Sequence, residues 1–350
     1  MRTMTSVLAC VALAGAATAD LNLVELKRID LSGQFGQTTP NGTSIGAVAW
    51  DGSSAWVAGF NNAGAGASAG IFRVSDALGA HSIGGTFGSL ATPALRGYSG
   101  LDIKNGRLVA AYDNGGASAN GIASWDVATQ TQNWAKNARG SSGVAYDPGF
   151  NGADEGVAWT TFGSGRRALQ NAATGADIYT TANGMIINDG AGTFWRGIDF
   201  DDATGNLYAR RSNGLIKTTR TGGNSGVAST LVAFNAAADF VSGHNLAFMG
   251  GTVEGDVILF NDRLSAASGQ GFLSVMKAVT SSGAAVTLDW TLLSPVADGN
   301  GYYSFSYHAA SQTLAVADFA NNTLHIFAVP APGAAGLLGL AGLAALRRRR

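Results

Sequence analysis

The chain between residues 20 and 329 is a series of short apolar runs separated by polar turns. Six stretches share one order: an apolar strand, a turn usually rich in Gly, Asp or Asn, and a second apolar strand. A third strand commonly follows, and a less regular fourth strand comes after it. The six stretches are "GAVAWDGSSAWVAGFNN", "GLDIKNGRLVAAYDN", "GVAYDPGFNGADEGVAWTTFG", "GIDFDDATGNLYARRSN", "HNLAFMGGTVEGDVILFND" and "YSFSYHAASQTLAVADFANN".

The spacing of these units predicts the architecture. Corresponding points in successive units lie about 43 to 59 residues apart, which is the spacing of four-stranded propeller blades. The sequence therefore predicts an all-β fold, a β-propeller of six four-stranded blades. A pair of β-sandwiches would need a linker near the middle, and a β-helix would need shorter, stricter repeats. The corresponding points are Gly46, Gly100, Gly143, Gly197, Asn245 and Ser304.

The two ends of this region predict how the ring closes. The sixth unit has no fourth strand of its own before residue 330, whereas the N-terminal segment "NLVELKRIDL" is a strand without a unit. An open ring would leave two unpaired sheet edges, which invite aggregation. We therefore expect the N-terminal strand to complete the last blade, within a propeller domain of residues 20–329.

Residues 1–19 have the layout of a cleaved secretory signal. Arg2 precedes an apolar stretch, and Ala17 and Ala19 stand at the small-residue positions before a cut at Asp20. The single cysteine, Cys10, lies inside this segment. The mature chain would therefore contain no thiol nucleophile, disulfide or cysteine-ligated zinc site.

Residues 330–350 predict a sorting tail. Fourteen Gly, Ala and Leu residues would form a helix about 21 Å long, which is short for a bilayer core of about 30 Å. Two prolines precede this helix, and four arginines follow it on the side that the positive-inside bias would keep cytoplasmic. The residues in question are Val329, Pro330, Ala331, Pro332, Gly333, Arg347, Arg348, Arg349 and Arg350.

This tail resembles a PEP-CTERM sorting signal, which consists of Pro-Glu-Pro, a transmembrane segment and a basic end. Ala331 stands where the family has Glu. The resemblance implies processing by an exosortase-like membrane protease. It also implies an exported protein at the cell surface, in the outer membrane or outside the cell, with transient or permanent C-terminal anchoring. Proteins with this signal are often associated with extracellular polysaccharide.

Composition and charge narrow the classes of partner. Charged residues form 13% of the chain, and five of its 22 Lys and Arg lie in the two terminal segments. The region between them carries a net charge of about −6 without a cluster of basic residues. Nucleic acid is therefore not an expected partner.

Few residues indicate a metal or catalytic site. The most acidic loop, residues 147–156, offers Asp147, Asn151 and Asp154 as oxygen ligands for Ca²⁺, although it lacks the EF-hand pattern. His244 and His308 fall at the start and the end of innermost strands, where they could approach a central channel. The seven tryptophans suit packing between blades or stacking on sugar rings.

The sequence leads to two functional hypotheses. No catalytic residues and no cofactor are evident, which favours a binding or structural protein whose ligand is a polysaccharide or a surface protein. The stretch "GIDFDDATGNLYA" resembles strands of lactonase-like and NHL-type propellers. That resemblance implies the alternative, a calcium-assisted hydrolase or lyase. Three or more Asp, Glu, Asn or His side chains meeting in the channel would favour the enzyme.

Overall fold

The structure is all β in the part of the chain that it describes. The computed structural model describes residues 20–61, 68–90, 96–114, 120–137, 141–150, 152–161, 165–178, 195–211, 214–233, 246–264, 273–289, 296–297 and 303–332. Apart from one 3-10 turn, Ser32–Gln34, the regular elements in these ranges are strands. Within the same ranges, no helix has the length and apolarity needed to cross a membrane.

The strands follow the predicted units closely. From the N-terminus, β1 (Asp20–Asn22) and β2 (Val24–Asp30) precede the first unit, which contains β3 (Ser44–Trp50), β4 (Ala55–Phe60), β5 (Ile71–Ser75) and β6 (Ser82–Ile83). The second unit contains β7 (Gly97–Lys104), β8 (Arg107–Asp113), β9 (Gly121–Asp126) and β10 (Gln132–Asn137). The third contains β11 (Ser141–Asp147), β12 (Gly156–Thr161), β13 (Gly165–Gln170) and β14 (Ala176–Asp177).

The second half of the chain repeats this arrangement. The fourth unit contains β15 (Trp195–Phe200), β16 (Leu207–Arg211), β17 (Gly214–Gly222) and β18 (Ser225–Ala233). The fifth contains β19 (Leu246–Thr252), β20 (Gly255–Leu264), β21 (Leu273–Thr280), β22 (Ala285–Asp289) and the short β23 (Val296–Ala297). The last contains β24 (Tyr303–His308), β25 (Thr313–Asp318) and β26 (Thr323–Ala328).

Apolar side chains hold successive units together in a closed ring. Within each unit, consecutive strands are antiparallel neighbours, except that the short β23 pairs with β21. A single pair, Phe60 with Gly97, links the first two units into one sheet. Each apolar cluster joins two successive units, and one of them joins the last unit to the first. This is a β-propeller, and its blade number in the whole chain stays a prediction. Representative partners are Ala49 with Leu101, Val109 with Val144, Ala145 with Ile198, Tyr208 with Leu246, Leu259 with Phe305, and Val48 with Ile326.

The N-terminal strand completes the last unit, as the sequence predicts. Strand β2 pairs antiparallel with β26, in a register from Val24 opposite Ala328 to Asp30 opposite Thr323. His325 Nδ1 lies 2.6 Å from Glu25 Oε1 across this pair. Strand β1 pairs in parallel with β22 of the preceding unit, which the sequence pattern did not indicate. The N-terminal segment is thus attached to two units.

The start of the predicted tail belongs to the folded core. Val329 is buried, and its amide donates to the Gln312 carbonyl at 2.9 Å. The carbonyl of Pro330 accepts the Val253 amide at 2.8 Å. The fold therefore continues through Pro330, the first residue of the predicted tail. Gly333 and Arg347 to Arg350 lie outside the described residues.

Truncation should locate the end of the domain. A chain ending at Pro332 keeps both hydrogen bonds, but a chain ending at Ala328 loses them together with the burial of Val329. We expect the shorter chain to be less stable by roughly 2 to 4 kcal/mol, measured by urea unfolding. Equal unfolding midpoints for the two chains would contradict a structural role for Val329 and Pro330.

Candidate functional site at the channel mouth

A cavity of about 350 Å³ opens at one end of the channel. The first strand of each unit contributes to its lining, so β3, β7, β11, β15, β19 and β24 are the innermost strands of the ring. Trp50, Lys104, Phe200 and His308 are the last residues of their strands, so this channel-mouth cavity lies where innermost strands end. Aromatic walls come from Trp50, Phe200, Phe248, Phe305 and Tyr307, and polar groups include Asp102, Lys104, Asp199, Asp202, Asp256 and His308.

Two aspartates of this cavity tie neighbouring units together. Asp102 Oδ2 accepts the backbone amide of Tyr146 at 2.6 Å, and its Oδ1 accepts that of Ile103 at 2.7 Å. Asp199 Oδ2 accepts the amide of Phe248 at 2.7 Å, and its Oδ1 accepts that of Phe200 at 2.8 Å. Each carboxyl group therefore bridges the innermost strand of its own unit to that of the next.

Serines make the corresponding links between the last unit and the first. Ser304 Oγ accepts the amide of Val48 at 3.1 Å, and Ser306 Oγ accepts that of Trp50 at 2.9 Å. Because a hydroxyl group can replace the carboxylate in this bridging role, the bridge itself does not require a charge. The two aspartates thus bring titratable carboxyl groups to the mouth in addition to their structural contact.

Burial is the main cause that raises the pKa of both aspartates, and neighbouring carboxylates add to it. Burial raises the pKa of Asp102 to about 6, against the opposing effects of Lys104 and the two amides. Burial and then the negative charge of Asp102 raise the pKa of Asp199 well above its ordinary value. The two groups therefore hold protons at a pH where an exposed aspartate would be ionised.

An ion pair crosses part of the mouth. The ammonium group of Lys104, at the end of β7, contacts the carboxylate of Asp202, in the turn after β15. These residues belong to the second and fourth units, so the pair links two units that are not consecutive in the chain. Burial lowers the pKa of Lys104, but the carboxylates of Asp202 and Asp102 outweigh it and raise that pKa, which keeps the ammonium charged.

His308 reaches the cavity, as its position at the end of an innermost strand predicted. Its Nδ1 accepts the backbone amide of Ser311 at 3.3 Å and lies 2.8 Å from Ser311 Oγ. Because Nδ1 is an acceptor, the proton of the neutral ring is on Nε2. His244, the other predicted channel histidine, lies outside the described residues.

The two described residues of the proposed Ca²⁺ loop lie in different environments. Asp147 is buried, and its Oδ1 lies 2.7 Å from the guanidinium of Arg220, while Asp154 is exposed. Asn151, as well as Ala17 and Ala19 of the predicted signal, lies outside the described part of the chain. Among the residues that can be described, no group of three or more His, Cys, Asp or Glu is arranged to hold a metal ion.

Most of the described tryptophans serve packing. Trp56, Trp125 and Trp159 are buried, and Trp134 is partly buried with its Nε1 donating to the Ala172 carbonyl. Trp50 is also buried, with its Nε1 bonded to Thr313 Oγ1 at 2.8 Å, but it contributes to the cavity wall.

The sequence pattern had not singled out Asp102, Lys104, Asp199 or Asp202. A signal was present in the repeat itself, because Asp102 and Asp199 each stand two residues after the glycine of their unit, in "GLDIK" and "GIDFD". An acid at the same register of two otherwise apolar innermost strands indicates a polar position on the channel. The stretch "DDATGN" forms the turn between β15 and β16, and Asp201 accepts the Ala203 amide there at 2.9 Å.

Comparison with known proteins shows no matching family model and no matching curated protein. Similar solved structures include the β-propeller domain of Cps50 (Swd1) from Myceliophteria thermophila, with 9% identity over 82% of this chain and 96% of that chain, at a TM-score of 0.47. Hydrazine synthase of Kuenenia stuttgartiensis is 11% identical over 78% of this chain and 73% of that chain, with a TM-score of 0.48. BamB from Moraxella catarrhalis is 13% identical over 87% of this chain and 99% of that chain, with a TM-score of 0.41.

Proposed function

We propose that this protein is an exported, surface-associated propeller that binds a glycan in the channel-mouth cavity. The observation that carries the proposal is the combination, in one cavity, of aromatic walls with hydrogen-bond-accepting carboxylates. A sugar ring offers C–H faces to aromatic side chains and hydroxyl groups to acceptors. Such a mixture of apolar walls and a few polar groups is typical of small-ligand sites.

The two terminal segments support the surface location. The N-terminal layout with Ala17 and Ala19 fits secretion, and the tail from Pro330 to Arg350 resembles a signal that is associated with extracellular polysaccharide. A glycan of the cell's own matrix is therefore the ligand class that we propose. An exosortase-like membrane protease is the proposed processing partner.

The alternative, a calcium-assisted hydrolase or lyase, has one observation in its favour. Five carboxyl groups line the channel mouth together with His308, and they belong to Asp102, Asp199, Asp201, Asp202 and Asp256. However, both oxygens of Asp102 and Asp199 already accept backbone amides, and Asp202 contacts Lys104. These contacts suit the recognition of a ligand better than the coordination of a metal ion, so binding is the function that we propose.

Blocking the cavity should abolish binding without affecting the fold. Ala203 is an exposed turn residue that lines the cavity, whereas Ala128 is an exposed turn residue that does not. We expect Ala203→Trp to weaken binding at least tenfold in calorimetry with the polysaccharide of the producing cell. Ala128→Trp should bind like the unchanged protein, and both variants should keep the original melting temperature.

Two results would contradict the proposal. One is a failure of the unchanged protein to bind any member of a broad glycan panel. The other is binding by Ala203→Trp that equals binding by Ala128→Trp, because the ligand would then contact another part of the surface.

A further inference from the structure

The charged side chains of the cavity are predominantly acidic. Among the described residues of its lining, Lys104 is the one lysine or arginine, whereas five residues carry carboxyl groups. These carboxyl groups belong to Asp102, Asp199, Asp201, Asp202 and Asp256. A cleft lined by one sign of charge between apolar walls concentrates ligands of the opposite sign.

The cavity already contains one ammonium group. The side chain of Lys104 is 27% exposed, and its ammonium contacts Asp202. The charges of Asp102 and Asp199 also favour its protonated form. The aromatic rings of the wall can add cation–π attraction for a second ammonium group. The contact of Lys104 with Asp202 is thus an internal example of the interaction that a cationic ligand would make.

From this arrangement we infer that the glycan bound in the channel-mouth cavity is an amino sugar with a free ammonium group, and that Lys104 competes with this group for Asp202. The inference rests on the proposed glycan-binding function and specifies its ligand. In this scheme the ligand's ammonium takes the position beside Asp202, and the ammonium of Lys104 moves into solvent. No covalent bond changes.

The first experiment compares two sugars that differ only at nitrogen. Calorimetry with the full chain would use a β-1,4-linked glucosamine tetramer and its fully N-acetylated counterpart. We expect the free amine to bind at least tenfold more tightly. Equal affinity for the two tetramers would overturn the ammonium inference and leave glycan binding intact, whereas a lack of binding to all glycans would overturn both. Binding to tetralysine but not to the glucosamine tetramer would overturn the assignment to a sugar.

Substitutions at the ion pair test the competition. Asp202→Asn should weaken binding of the glucosamine tetramer at least tenfold and weaken any binding of the acetylated tetramer to a smaller extent. Lys104→Met should strengthen binding of the free amine several-fold, because the internal competitor is gone. Weaker binding by Lys104→Met, with an unchanged melting temperature, would show that Lys104 assists the ligand and would overturn the competition.

Lys136 provides a matched control. It forms a comparable surface ion pair with Asp177, and neither residue lines the cavity. Lys136→Met should leave the affinity for both tetramers unchanged. A gain in affinity equal to that of Lys104→Met would show a general charge effect and overturn the specific competition.

The pH dependence offers an independent measurement. Asp102 lies near Lys104, Asp199 and Asp202, and Asp201, Asp256 and His308 line the same cavity. Because the pKa of Asp102 is about 6, acidification below this value neutralises an acceptor. The amine of glucosamine gains protons over the same pH range, so the probe is an N-trimethylated glucosamine tetramer, whose positive charge is fixed. We expect the affinity for this trimethylated tetramer to fall as the pH decreases from 7 to 5, and the affinity for a neutral sugar to stay constant. Parallel changes for both sugars would overturn the inference.

Discussion

Deletion of residues 22 to 31 should remove cooperative folding from this protein. The deleted segment buries Leu23, Ile29 and Leu31, each of which contributes roughly 1.5 to 3 kcal/mol. The combined loss is comparable with the whole stability of a typical domain, about 5 to 15 kcal/mol. The deletion also exposes the edge of β26, which is a template for intermolecular strand pairing. We expect aggregation, or a thermal melt without a sharp transition.

Single substitutions in the same strand test whether its buried side chains provide the stability. Val24 and Leu26 of the same strand are 53% and 48% exposed, so their replacement by Ser should cost little. Ile29→Ala should instead destabilise the protein by about 2 to 5 kcal/mol in urea unfolding. If the chain without residues 22 to 31 melts like the complete chain, β2 does not close the last unit.

Replacement of Arg220 by Met should cause the second large loss of stability. Arg220 and Asp147 form an ion pair in which both side chains are 0% exposed, at 2.7 Å. The guanidinium also donates to the carbonyls of Gly205 at 3.1 Å and Gly223 at 2.7 Å, and it lies 5.6 Å from the Phe200 ring. Removing one partner of a buried pair costs about 3 to 5 kcal/mol, because the other charge stays buried.

The matched control is a surface pair of the same type. Arg96 and Asp113 form an ion pair at 2.9 Å in which the arginine side chain is 60% exposed. Arg96→Met should therefore cost less than about 1 kcal/mol. Adding Asp147→Asn to Arg220→Met should restore part of the stability, since the buried charge is then gone. Equal costs for Arg220→Met and Arg96→Met in denaturant unfolding would refute the structural role of the buried pair.

The strand units were predictable because they depend on local sequence. Turn residues such as those of "DDATGN" and alternating apolar positions can be recognised within a window of about fifteen residues. The missing fourth strand of the last unit indicated that β2 belongs to that unit. The parallel pairing of β1 with β22 had no such signal, because three residues carry too little pattern. The contact of Asp147 with Arg220 also had no local signal, because the two residues are 73 positions apart in the chain.

The candidate site was harder to predict for a related reason. Its polar residues come from separate units, and Lys104 and Asp202 are 98 residues apart in the chain. Their proximity follows from the ring and not from any motif. His308 was predicted because its position at a strand end depends on one unit alone. The repeated Gly-apolar-Asp register at Asp102 and Asp199 was the available signal, and it becomes informative only when units are compared position by position.

The attachment of the N-terminal segment to the last two units also affects the order of folding. The ribosome makes β1 and β2 first, but their partners β22 and β26 are among the last strands to be made. Glu25 and His325, which meet across the closing pair, are 300 residues apart. The entropy lost in bringing such distant segments together slows folding and delays it to the end of synthesis. A nascent chain therefore cannot complete its last two units in this arrangement until β22 and β26 have been made.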